Sequence, residues 1–132
     1  MYNQHEEIKN KIFEKPKYDL IVLDDYADIL KNNAIVVALN KLLIKARHLC
    51  CGFIFTLQSY YYFPKILRKQ ITCITIFKCK NIEEWFTIAE EILKYNKDDA
   101  LLLYNYVFDK PYAHLDIDTV TNTYYKILLN WQ

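Results

Sequence analysis

Residues 20–23 (Leu-Ile-Val-Leu) are apolar without a polar break, and the run stops at two adjacent carboxylates, Asp24 and Asp25. Such a short, branched run predicts a central parallel strand covered on both faces, its polar end lying where open α/β sheets bind ligands. Upstream, Ile8, Ile12 and Phe13 recur at helical spacing over residues 4–14 until Pro16 interrupts them, predicting a short helix that leads into the strand. Downstream, Ile35, Val36, Leu39, Leu42, Leu43 and Ala46 form the stripe of a crossover helix over residues 33–47. Residues 53–58 read as a second buried strand ending at Gln58, and 71–78 as a third. Between them Phe63-Pro64 marks a turn into a short helix around 65–69. Asn81 is placed to cap a helix through Lys94, with Glu83 and Glu84 favourably near its N-terminus. A helix over 97–107, a fourth strand over 112–117 and an aromatic-rich segment over 123–131 complete the pattern. Strands alternating with helices predict one α/β domain over residues 1–132, with a mostly parallel sheet flanked by helices. No internal repeat or low-complexity linker divides it.

Composition narrows this picture only in places. A chain of 132 residues can bury one core. Its net charge of +1 supplies neither a basic surface nor an acidic tail that would by itself name a partner. No run approaches the ~20 apolar residues that span a bilayer, and the N-terminus lacks a charged-then-apolar signal pattern, so a soluble intracellular protein is expected. Cys50, Cys51, Cys73 and Cys79 form no C-x-x-C pair, and neither His48 nor His114 completes a zinc spacing; reduced, packed thiols are expected. Arginine occurs only at Arg47 and Arg68, every other basic position being lysine. The two arginines are therefore candidates for tasks that need a planar, permanently charged fork.

The strand ending in Asp24-Asp25 reads as a Walker B motif. In P-loop ATPases the first such carboxylate helps to hold Mg²⁺, and the next acidic residue polarises the attacking water. The complementary Walker A loop, G-x-x-x-x-G-K-[ST], needs two glycines for its phosphate cradle, and this chain has one glycine, Gly52. Gln58 ends a neighbouring strand at the same presumed edge, where its amide can donate to a phosphate and accept from water. Taken singly, Gln58 also reads as a loop cap, Arg47-His48 as charges complementing a helix C-terminus, and Arg68 as a surface arginine.

Taken in order, the segments are more specific: Leu-Ile-Val-Leu-Asp-Asp (20–25), Ala-Arg-His (46–48), Phe-Ile-Phe-Thr-Leu-Gln-Ser (53–59), Phe-Pro-Lys-Ile-Leu-Arg (63–68) and Ile-Thr-Ile-Phe-Lys (74–78). This order resembles the C-terminal half of viral DNA-packaging ATPases, the poxvirus and giant-virus branch of the FtsK–HerA superfamily, found also in virophages and related mobile elements. The resemblance covers roughly residues 5–120. Ala46 stands where a glycine often precedes Arg-His in that family, and the Walker A half is missing.

The resemblance implies a partial P-loop NTPase fold, RecA/FtsK–HerA-like, without its Walker A strand. It implies Asp24 as the Mg²⁺-associated carboxylate, Asp25 as the catalytic base and Gln58 as the sensor. Arg47 or Arg68 would be the arginine finger reaching a neighbouring subunit, and His48 a supporting residue of the nucleotide site. His5 and His114 carry no motif and read as a surface and a strand-packing residue. ATP and Mg²⁺ are expected only with a Walker A half supplied in trans. The implied partners are double-stranded DNA, other ATPase subunits in a ring, the capsid and an N-terminal Walker A fragment, with no membrane; the implied place is a viral factory or virion. Two expectations follow about the chain: it is a fragment or split subunit of the packaging motor, or a decayed ATPase domain serving as an interaction protein. In that superfamily the Walker A strand lies between the strands ending at Gln58 and Lys78, so these two either expose their edges or pair directly.

Overall fold

A computed structural model describes residues 17–128. The predicted helix over 4–14 and the end of the 123–131 segment lie outside the described residues. The first strand, β1 (Asp19–Asp24), pairs in parallel with β2 (Cys51–Thr56), in a register that sets Asp24 beside Thr56. Helix α1 (Asn33–Lys45) makes the crossover between them, and the Asn32 side chain accepts from the Ala34 and Ile35 amides at its start. A 3₁₀ turn (Tyr60–Tyr62) and a one-turn helix, α2 (Lys65–Arg68), lead to β3 (Cys73–Phe77). Then α3 (Ile82–Ile88) runs into a π-helical turn over Ala89–Leu93, and Lys94 reverses the chain in the left-handed conformation, φ 60°. Helix α4 (Lys97–Val107), β4 (His114–Asp118) and β5 (Thr123–Ile127) follow. Asn81 and Asn96 cap α3 and α4 through their side-chain oxygens, satisfying amides that have no partner within the helix.

The protein is α/β, but the expectation of a mostly parallel sheet is corrected. Among the described residues only β1 and β2 are parallel; β3, β4 and β5 form a separate antiparallel sheet. Two helices rather than one intervene between β3 and β4, so the chain returns to the end of the sheet it had left and β4 runs against β3. Between β4 and β5 the connection is a hairpin. Asp118 Oδ1 accepts from the Val120 and Thr121 amides at 2.8 and 3.0 Å, and Asn122 takes a positive φ of 55°. The aromatic-rich tail thus contains a strand that the sequence pattern left without an element.

Two cores form. The larger joins α3 and α4 to β3 and β4, with Trp85, Val107, Leu115 and Ile117 fully buried and the Trp85 indole donating to the Ala100 carbonyl at 2.7 Å. The smaller gathers Leu30, Val36, Phe63 and Leu67, with Phe55 and Leu57 of the β2 region and Ile71 of the β3 approach packed against it. Although β2 and the segment leading into β3 both adjoin this second cluster, the two strands do not pair with each other.

A second correction concerns β1. It was expected to be covered on both faces, yet Leu20 and Val22 are 61% and 54% exposed, and Ile54 beside Val22 is 47% exposed. On the opposite face Leu23, Phe53 and Phe55 are half-buried, and Ile21 beside Phe53 is 38% exposed. Among the described residues one side of the parallel pair is thus covered, and the other is left as a bare apolar surface. Gly52, opposite Leu20, keeps this surface flat: a Cβ there would stand 3.3 Å from the Leu20 side chain. No helix among the described residues is long and apolar enough to cross a membrane.

Candidate functional site

The carboxyl ends of β1 and β2 bring three of the sequence-predicted residues together. The register sets Asp24 level with Thr56, whose hydroxyl donates a short hydrogen bond to Asp24 Oδ1. Directly after the strand, Asp25 turns into the left-handed region at φ 53°, which aspartate tolerates better than most residues. Its amide donates to the Thr56 carbonyl at 3.0 Å and lies 3.2 Å from Thr56 Oγ1. Gln58, two residues past β2, donates from Nε2 to Asp25 Oδ2 at 3.2 Å. Both carboxylates and the glutamine face solvent. Thr56 was missed by sequence reasoning. The signal for it was its place as the one polar residue within the apolar run Phe53–Leu57, level with Asp24 once the strands are paired.

Arg47 and His48 are not brought to this edge. Helix α1 carries the chain back across the sheet, so both stand exposed in the turn before β2, at the opposite end of a six-residue strand roughly 20 Å long. His48 is therefore remote from the Asp24–Asp25 carboxylates of its own chain, contrary to the supporting role that the resemblance implied. Arg68 lies within the fold, its side chain only 10% exposed. It donates from Nε to the Phe63 carbonyl at 2.8 Å and from Nη2 to the Tyr60 carbonyl at 3.0 Å. Through Nη1 it meets both Glu91 oxygens, at 3.1 and 3.0 Å, and its guanidinium sits 4.0 Å above the Tyr60 ring.

The Tyr60 hydroxyl donates to Glu91 Oε2 at 2.8 Å. Burial first, and then the Glu91 carboxylate, push the Tyr60 phenol well above its usual range. Burial pushes the Glu91 carboxyl up, but hydrogen bonds from Tyr60 and Arg68 and the charges of Arg68 and Lys65 outweigh it and hold the group below its ordinary value. Elsewhere, burial followed by the Glu84 charge raises the Cys79 thiol to about 11, which keeps it protonated and unreactive at neutral pH. All four cysteines are free, as expected; Cys50, Cys51 and Cys79 are half-buried, whereas Cys73 is exposed rather than packed. His114 is a strand-packing residue, buried at the start of β4 beside the Phe77 ring.

The donor set at the β1–β2 edge consists of hard oxygens, suited to Mg²⁺, an ion commonly held by one or two carboxylates with water and substrate phosphates completing its shell. Among the described residues no group of three or more acidic, histidine or cysteine side chains could hold a metal by itself, so phosphate and water oxygens would have to contribute. A nucleotide does not fit on these residues alone. Gly52, the only glycine, opens β2 at the opposite edge, and no described loop offers successive backbone amides at Asp24 and Asp25. Comparisons with protein-family models, curated proteins and solved structures returned no match.

Proposed function

We propose that this chain is the Walker B half of an ATPase of the viral DNA-packaging type, a fragment or split subunit that acts in a ring translocating double-stranded DNA once its phosphate-binding half is supplied. The observation that carries this reading is the hydrogen-bonded set Asp24, Thr56, Asp25 and Gln58 at the carboxyl edge of a parallel pair. Asp24 would face the metal, which neutralises phosphate charge when bound. Asp25 has an oxygen free to accept a proton from water, and Gln58 holds that carboxylate in place. The edges of β2 and β3 that no described strand pairs with, and the Leu20–Val22–Ile54 surface that no described residue covers, also support the reading, because a strand, loop and helix supplied in trans would cover both. Of the two arginines, Arg47 is the one exposed for reaching a neighbouring subunit.

The test is co-expression with a polypeptide that carries a strand, a glycine-rich phosphate loop and a helix. Mg²⁺-dependent ATP hydrolysis should appear, and Asp25→Asn should lower it by about 100-fold or more, as loss of a general base does. The isolated chain should give no saturable signal with a fluorescent ATP analogue. Micromolar binding by the chain alone would overturn this proposal.

The bare surface also favours a second reading, a non-enzymatic, decayed ATPase domain that acts as an interaction protein on a motor ring or on DNA. In that case a complex forms, yet substitutions at Asp24, Asp25 and Gln58 change nothing measurable.

A further inference from the structure

Gln58 is separated by a single residue from a densely bonded anchor. Ser59 Oγ donates to Glu84 Oε1 at 2.8 Å, and the Tyr60 amide donates to the same oxygen in a short hydrogen bond. Glu84 sits in the first turn of α3. Farther along, Tyr61 Oη and Thr87 Oγ1 lie 3.1 Å apart, and Tyr60 and Arg68 meet Glu91. Glu84 and Thr87, spaced i, i+3, share one side of α3, and Glu91 of the π-helical turn that follows meets the same segment through Tyr60. Together they form an acceptor ladder, and the chain from Ser59 to Tyr61 lies along it. Arg68 closes the anchor through the Tyr60 and Phe63 carbonyls.

We propose that Glu84, backed by the Arg68–Glu91 pair, is the positioning residue for Gln58, and that it couples the antiparallel half of the molecule to the carboxylate edge of the parallel half. The inference rests on the reading of Gln58 as part of that edge. Its physical basis is length. With only Ser59 between Gln58 and the anchored Tyr60 amide, a shift of α3 along its axis has no slack to absorb it and moves the Gln58 amide relative to Asp25. Helix α3 itself belongs to the larger core, in which Trp85 and Ile88 are buried. A displacement of that core is thereby delivered to the glutamine.

The test uses the ¹⁵N-labelled full chain, with the Gln58 side-chain amide signal assigned through a Gln58→Leu variant. Asp25→Asn should move that signal. Glu84→Ala should move it toward the position of an unrestrained glutamine and speed exchange of the 59–61 backbone amides at least tenfold. Glu84→Gln, which keeps the acceptor oxygen, should restore most of both effects. If Glu84→Ala does not fold, Thr87→Val provides the weaker version of the same displacement, since it leaves Glu84 in place and removes the Tyr61 contact together with the Thr87 hydroxyl's bond to the Glu83 carbonyl. An unmoved Gln58 signal in folded Glu84→Ala, or in folded Thr87→Val where 59–61 exchange is faster, would overturn the coupling. None of these readouts involves a nucleotide. A failure of the ATPase reading would leave Gln58 positioned by Glu84 but without effect on hydrolysis, and so would be told apart.

Discussion

Arg68 spends its guanidinium on protein acceptors: two carbonyls, one carboxylate and an aromatic face. Lysine offers no planar fork for such an arrangement, which is the physical reason for an arginine in a lysine-rich chain. Scarcity of arginine in the sequence therefore marked a residue with a specific geometric task, but could not tell phosphate from carbonyl as the target. Arg68→Ala should lower stability by about 2–4 kcal/mol in urea unfolding, since it strands Glu91 and two carbonyls. Arg68→Lys should recover only part of this, and Arg47→Ala should stay within about 0.5 kcal/mol. Equal effects at the two arginines would contradict the assignment. Acid should act through the same cluster. Folding lowers the Glu91 carboxyl below its ordinary 4.5, so the unfolded chain takes up that proton first on acidification. The stabilisation is complete above that value and is lost as pH falls through the folded pKa. Stability of Glu91→Gln should accordingly fall less steeply than that of the parent chain below roughly pH 5, as measured by unfolding midpoints across an acid series.

At the scale of elements, hydrophobic pattern located β1, α1 and α4 well because each has a clear period and a clear end, whereas β2 starts and stops two residues earlier than the expected 53–58. Pattern could not say what covers a strand. The Leu20–Leu23 run is apolar on both sides, and the described residues cover one. Direction was misread for β4, although a count of the helices between it and β3 would have given the antiparallel sense. The two sides of the parallel pair should respond differently to substitution. Val22→Thr with Ile54→Thr should leave the unfolding midpoint of the isolated chain almost unchanged, while lowering self-association in sedimentation. Leu67→Ala, in the cluster under the covered side, should cost about 2–5 kcal/mol. Strong destabilisation by the threonine pair would mean that the surface is not bare in solution.

For the whole molecule, the larger core around Trp85 outweighs the smaller one under the parallel pair, so the fold should open unevenly. Native-state hydrogen exchange should find β4 slowest, and β1 with β2 faster by orders of magnitude; uniform protection would show that the two cores open as one. The carboxylate edge thus stands on the less secure half, and a two-stranded parallel sheet has little stability of its own. That gives the bare apolar surface of β1 and β2 a meaning beyond contact. Any polypeptide that binds it only in the folded state adds RT ln(1 + [L]/Kd), about 2.7 kcal/mol when present at 100 times its Kd. Against a domain stability on the order of 5–15 kcal/mol, such an increment decides how much of the chain survives. Supply of the covering polypeptide, rather than the rate at which this chain is made, would then set the number of intact carboxylate edges, a form of dosage control that requires no switch.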